Sequence, residues 1–223
     1  MDLSPQNTNK EHDELTGQLL HFSLKPIVRL LARTSVTPNQ VTALSIIPAL
    51  GSIYFLWQGG YRDTITGAIL AFLYVILDAI DGQLAREKNL QSLLGKWLDG
   101  ILGYIFVPVM MLAAGRGLHE PETFLVGAIA ALCFPLQFTV IYFFNSEIRK
   151  ESQRMELPLS SRWHFLRYTY GLALFFPLLL LGAVLDKTVV VLYFFATAGH
   201  LFWLGIVAIQ WHYLRRQEQQ TMK

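Results

Sequence analysis

Residues 77–86 read Leu-Asp-Ala-Ile-Asp-Gly-Gln-Leu-Ala-Arg, and residues 92–103 read Ser-Leu-Leu-Gly-Lys-Trp-Leu-Asp-Gly-Ile-Leu-Gly. Each stretch sits at one end of a long apolar segment, and together they carry three carboxylates, Asp78, Asp81 and Asp99. A charge inside a membrane span costs several kcal/mol by order of magnitude and by default marks a function. The spacing is helical. Asp78, Asp81, Gly82 and Ala85 fall at i, i+3, i+4 and i+7 and form one stripe. Ser92, Gly95, Asp99 and Gly103 form a second stripe on the following segment. Two antiparallel helices joined by a short loop let these stripes face each other, so that three acids converge at one end of the pair. Ionised together they repel. Hard oxygen ligands of this kind suit Mg²⁺ or Mn²⁺, which complete their shells with substrate phosphates. The small residues leave room for a substrate against the backbone, and Arg86 stands ready to pair with phosphate. Helix-end charges paired with Arg86 and Lys96 would account for any one acid, but poorly for all three at these spacings. A proton or ion path fits less well, because the acids gather on one side of the membrane.

The rest of the chain supports a membrane setting. Of 223 residues 53% are hydrophobic and 15% charged, whereas soluble domains carry about a quarter charged residues. A net charge of +2 argues against a nucleic-acid partner, which selects a strong basic excess. The single Cys133 excludes an intrachain disulfide and a multi-cysteine metal site. Six spans of about 20 residues are expected near 40–58, 64–85, 93–114, 123–146, 165–185 and 188–213. Before them, Lys25, Arg29 and Arg33 recur every fourth residue among Ile27, Val28, Leu30 and Leu31, the pattern of an amphipathic interfacial helix; Pro26 fits its first position. The division is therefore 1–16, a flexible cytosolic tail; 17–36, an amphipathic juxtamembrane helix; 37–214, six membrane helices; and 215–223, a second cytosolic tail. Residues 1–16 lack the features of a signal peptide. With the N-terminus on one side, fifteen of the 18 Lys and Arg fall on that side; the exceptions are Arg62, Arg116 and Lys187. The positive-inside rule then places both termini in the cytosol, and an even number of spans keeps the partition clean.

The two stripes resemble the signature of the CDP-alcohol phosphotransferase (CDP-alcohol phosphatidyltransferase) family, D-x2-D-G-x2-A-R-x8-G-x3-D-x3-D. Seven of eight fixed positions match at Asp78, Asp81, Gly82, Ala85, Arg86, Gly95 and Asp99. Thr37-Pro38-Asn39-Gln40-Val41-Thr42 is similar to the family's T-P-N-x-[VL]-T segment. The resemblance implies an all-α membrane fold of six spans behind an amphipathic helix. It implies transfer of a substituted phosphate from a CDP-alcohol, such as CDP-diacylglycerol, to an acceptor alcohol with release of CMP, as in phospholipid or related head-group synthesis. It further implies a Mg²⁺ or Mn²⁺ centre on Asp78, Asp81 and Asp99, with Gly82, Ala85, Arg86, Ser92, Pro38 and Asn39 against the CDP moiety. Family members often form homodimers, and they often bind the acceptor's phosphate with basic residues like those at 147–167. The expected location is a bacterial inner membrane, with the active site cytosolic.

One departure stands out. The last signature Asp, the family's proposed base, is Gly103 here, and residues 100–107 offer no nearby acid. Another side chain substitutes, or the acceptor needs no strong base, or the activity has lapsed while the fold still binds nucleotide or a partner. Gly103 lies about 16 Å into its span, and His200 about 19 Å from the cytosolic end of the sixth. A mid-membrane histidine has a pKa suited to proton transfer, which makes His200 the candidate substitute base. Thr139, Tyr142, Tyr168 and Glu147 are weaker ones.

Overall fold

A computed structural model describes residues 15–148 and 172–221. The described residues are helical, with no strand among them. We number the helices α1 (Leu15–Ala32), α2 (Pro38–Gln58), α3 (Tyr61–Glu87), α4 (Leu93–Gly117), α5 (Pro121–Phe143), α6 (Leu172–Val184), α7 (Thr188–Phe194) and α8 (His200–Thr221). A π-helical turn, Phe144–Ile148, prolongs α5, and a second, Phe195–Gly199, joins α7 to α8. Five helical segments are long and apolar enough to cross a membrane: Pro38–Gln58, Tyr61–Glu87, Leu93–Gly117, Pro121–Ile148 and Thr188–Arg216. The described part of α6 is apolar but 13 residues long, about 20 Å.

Local chemistry sets the boundaries. Thr37 caps α2 through a capping box: its hydroxyl accepts from Gln40 N–H at 3.4 Å, and the Gln40 side chain accepts from Thr37 N–H at 2.9 Å. Such reciprocal bonds satisfy donors that a helix start leaves orphaned. Ser92 opens α4 by accepting from Gly95 N–H at 3.0 Å. Gly59 and Gly60 turn α2 into α3 with φ of +73° and +79°, a region that favours glycine. At Gly59 a Cβ would also lie 1.8 Å from the Gly117 carbonyl oxygen, so α2 and α4 can meet there only without a side chain.

Three features differ from the sequence reading. Pro26 lies in the middle of α1 and does not open it; the helix forfeits one backbone bond there but packs Leu24 and Val28 onto Ile80 and Leu84 of α3. Helices α3 and α4, consecutive in sequence, touch over only a short stretch, because α2 packs along both. The final helix continues through Thr221, past the boundary drawn at residue 214. The apolar core joins α2–α7, with Tyr74, Phe106, Phe134, Phe175, Phe176 and Phe195 buried in it. Phe175 and Phe176 pack inside, while Tyr142 and Phe143 are exposed. The basic residues Arg149, Lys150, Arg154, Arg162 and Arg167, with Tyr168, lie outside the described residues.

Candidate active site

The three acids stand near the ends of α3 and α4 that meet the 88–92 loop. Asp81 is six residues from the end of α3 and Asp99 six from the start of α4, each about 9 Å along its helix. The Asp78 and Asp99 carboxyl groups lie close to each other, and Asp81 is within electrostatic reach of both. Carboxylates that close repel one another, and a cation between them relieves the repulsion. Asp81 is buried, 4% exposed, and its Oδ2 accepts a 2.5 Å hydrogen bond from the Thr42 hydroxyl of α2. Through this short charge-assisted bond α2, lying between the acid-bearing helices, brings Asp81 a side-chain donor in addition to the Gly82 backbone N–H of α3.

Thr42 is the residue that sequence reasoning passed over. It closes the 37–42 segment, and its signal was its position one turn after Pro38, whose carbonyl lies 3.2 Å from the same hydroxyl. Tyr74, one turn deeper than Asp78, is a second. It is 2% exposed, its ring packs edge-on against Phe106, and its hydroxyl has no partner among the described residues.

The nucleotide-side candidates come together in two groups. Asn39, Ser92 and Gly95 meet where α2 and α4 begin: a Cβ on Gly95 would sit 3.0 Å from Ser92 Oγ and 3.6 Å from Asn39 Oδ1. Pro38 is buried beside them as the first residue of α2. Ser92 spends a lone pair on its cap and keeps its proton for donation. Gly82, Ala85 and Arg86 lie on α3. A Cβ on Gly82 would meet nothing nearer than the Arg86 guanidinium at 3.9 Å, so the space over Gly82 is open and bordered by a cation.

The donor set fits a hard divalent ion in chemistry: carboxylate oxygens with a hydroxyl behind one of them. As the side chains stand, no three His, Cys, Asp or Glu residues among those described surround a common point.

His200 opens α8 with both ring nitrogens engaged. Trp203 Nε1 donates to His200 Nδ1 at 3.0 Å, and His200 Nε2 lies 2.9 Å from the Ile129 carbonyl oxygen. An indole N–H only donates, so Nδ1 must accept and Nε2 must hold the proton that goes to Ile129. The ring's free lone pair is taken by Trp203 within α8, and the Nε2–H bond to Ile129 pins α8 to α5. Such bonds argue for a structural histidine, not a substitute base. Thr139 donates to the Pro135 carbonyl at 2.8 Å, and Tyr142 and Glu147 are exposed.

The chain belongs to the CDP-alcohol phosphatidyltransferase family, a family of transferases whose sequence pattern matches residues 35–211. It is 38% identical over 125 residues to the bifunctional IPC transferase and DIPP synthase of Thermococcus kodakarensis, a match covering 54% of this chain and 27% of that protein. It is 33% identical over 105 residues to the phosphatidylinositol phosphate synthase of Cutibacterium acnes, covering 42% of this chain and 47% of that one. An uncharacterised protein of Aquifex aeolicus is 37% identical over 81 residues, 34% of this chain and 37% of that protein. The matches thus span from about a quarter to about half of these relatives' lengths.

Proposed function

We propose that this protein is a membrane transferase that moves the substituted phosphate of a CDP-alcohol, such as CDP-diacylglycerol, to an acceptor alcohol and releases CMP, in phospholipid or related head-group synthesis. The observation that carries this reading is the meeting of Asp78 with Asp99, beside an Asp81 held by Thr42, within a chain of this family. In the reaction the acceptor oxygen bonds to the phosphorus that bears the donor's alcohol. The bond from that phosphorus to the CMP oxygen breaks, and the acceptor hydroxyl gives up its proton. Asp78, Asp81 and Asp99 would hold Mg²⁺ or Mn²⁺, which when bound neutralises the pyrophosphate and the leaving oxygen. Thr42 fixes the Asp81 carboxylate so that it does not have to be ordered when substrate arrives. Gly82 and Ala85 admit the pyrophosphate against the helix backbone, and Arg86 pairs with it. Asn39 and Ser92 offer polar contacts at the mouth beside Pro38. Gly103 supplies no base, so the proton passes to solvent or to the acceptor's own acidic group.

In this reading α6 is the described part of a sixth span, α1 lies in the interface, and both termini and the site face the cytosol, a placement that the distribution of Lys and Arg supports. A homodimer fits the family's habit. A second reading, a lapsed transferase that keeps nucleotide binding, is favoured by Gly103 together with the engaged nitrogens of His200. One experiment separates them. Purified protein is incubated with Mg²⁺ or Mn²⁺, CDP-diacylglycerol and a panel of alcohols, and CMP is measured for wild type, Asp78→Asn and Gly103→Asp. Wild-type release abolished by Asp78→Asn supports the transferase. Release that arises only in Gly103→Asp supports the lapsed form.

A further inference from the structure

The face of α3 opposite its carboxylates carries a second polar feature. Ile80 and Leu84 of that face pack onto Leu24 and Val28 of α1. Just beyond them a cleft of about 550 Å³ opens between α1 and the end of α3, lined by Arg29, Ala32, Arg33, Glu87, Lys88 and Leu90. The Lys88 ammonium is committed: it donates to the Thr34 and Val36 carbonyls at 2.7 Å each and ties the α1–α2 link to α3. That tie holds the cleft's walls in register. Arg29, in the last turn of α1, and Arg33, the first residue past its end, are exposed, and Glu87 is the single acid in the lining.

The surroundings identify the ligand class. The cleft lies where α2 begins and α3 ends, at the rim of the apolar bundle. Beside the two arginines, α1 presents Leu30, Ile27 and Phe22 to the outside, 67%, 46% and 72% exposed. Two guanidinium groups lining one cleft suit a phosphate's oxygens. An apolar strip next to it suits acyl chains. A soluble phosphate would use only the first of these. We propose that the cleft between α1 and the α3 end binds the phosphodiester of an anionic phospholipid through Arg29 and Arg33, as a site separate from the carboxylate face of α3.

The test uses the full-length protein in detergent, titrated with dioleoyl-phosphatidylglycerol, with bound lipid counted by native mass spectrometry. Wild type should hold phosphatidylglycerol in preference to phosphatidylcholine. Arg29→Gln with Arg33→Gln should weaken it at least about fivefold, by loss of charge-assisted bonds. Glu87→Gln should tighten it, because the lining loses its one negative charge. Lys25→Gln should leave binding within about twofold, since the Lys25 ammonium sits over the Phe22 ring, 5.5 Å from its centroid. The Glu87→Gln arm stands independently if the double variant fails to fold. Unchanged affinity in a folded double variant, or weaker binding by Glu87→Gln, would overturn the proposal. Displacement of the lipid by equimolar inorganic phosphate would overturn it too, by making this a soluble-anion site.

Discussion

Asp81 and His200 are both ionisable side chains set well inside apolar helices, and their surroundings treat them in opposite ways. His200 is closed: each ring nitrogen has a partner, both from within the bundle, and nothing is left over for chemistry. The acid cluster is open. Asp81 accepts from Thr42 and has Arg86 within electrostatic reach, while Asp78 and Asp99 face each other, and the space over Gly82 is bordered by the Arg86 guanidinium. Buried polar groups are ordinarily satisfied, so a cluster left short of positive charge points to what it is built to receive. The lesson is that rarity in a membrane segment nominates a residue, and its partners decide the role.

Three substitutions test that contrast. The largest effect is expected at Thr42. Thr42→Val keeps shape and removes Asp81's donor, so the half-saturating Mg²⁺ or Mn²⁺ concentration for CMP release should rise about 10–100-fold, as for other outer-shell partners of metal ligands. An unchanged metal dependence would mean that the 2.5 Å bond only joins α2 to α3. Next, His200→Ala should lower thermal stability by about 1–2 kcal/mol through the two lost bonds and the unpaired Trp203 N–H. Turnover per folded molecule should stay within about twofold; collapse of turnover in a protein that melts normally would restore His200 as the base. The smallest effect is expected at Tyr74. Its hydroxyl is buried without a partner among the described residues, so Tyr74→Phe should leave the melting temperature unchanged or raise it, by up to about 1 kcal/mol. A clear fall would reveal a partner for that hydroxyl.

Much of the fold was legible. Apolar runs of about 20 residues broken by Gly59-Gly60, Asp186-Lys187 and the 115–121 stretch located the helices, because hydrocarbon admits little besides closed helical backbone. The carboxylates of the site were legible too, because spacing at i, i+3 and i+4 fixes a face whatever the tertiary structure. Thr42 and the closed shell of His200 were not. Both depend on residues distant in sequence, 39 positions from Thr42 to Asp81 and 71 from Ile129 to His200. The insertion of α2 between α3 and α4 was likewise invisible, since loop length says which helices are consecutive and not which are neighbours.

By itself the sequence determined what is local: the membrane character, the helix faces, the two acid-bearing stripes and the missing acid at Gly103. The tertiary structure decided what is relational: that Asp78 meets Asp99, that Asp81 is held by a hydroxyl from α2, that His200 is spoken for, and that α1 closes a basic cleft against the reverse face of α3. The division follows from physics. Helical periodicity and the energetic cost of charge in hydrocarbon act over a few residues, whereas hydrogen-bond partners and clefts are set by which helices pack, and packing is a property of the whole bundle.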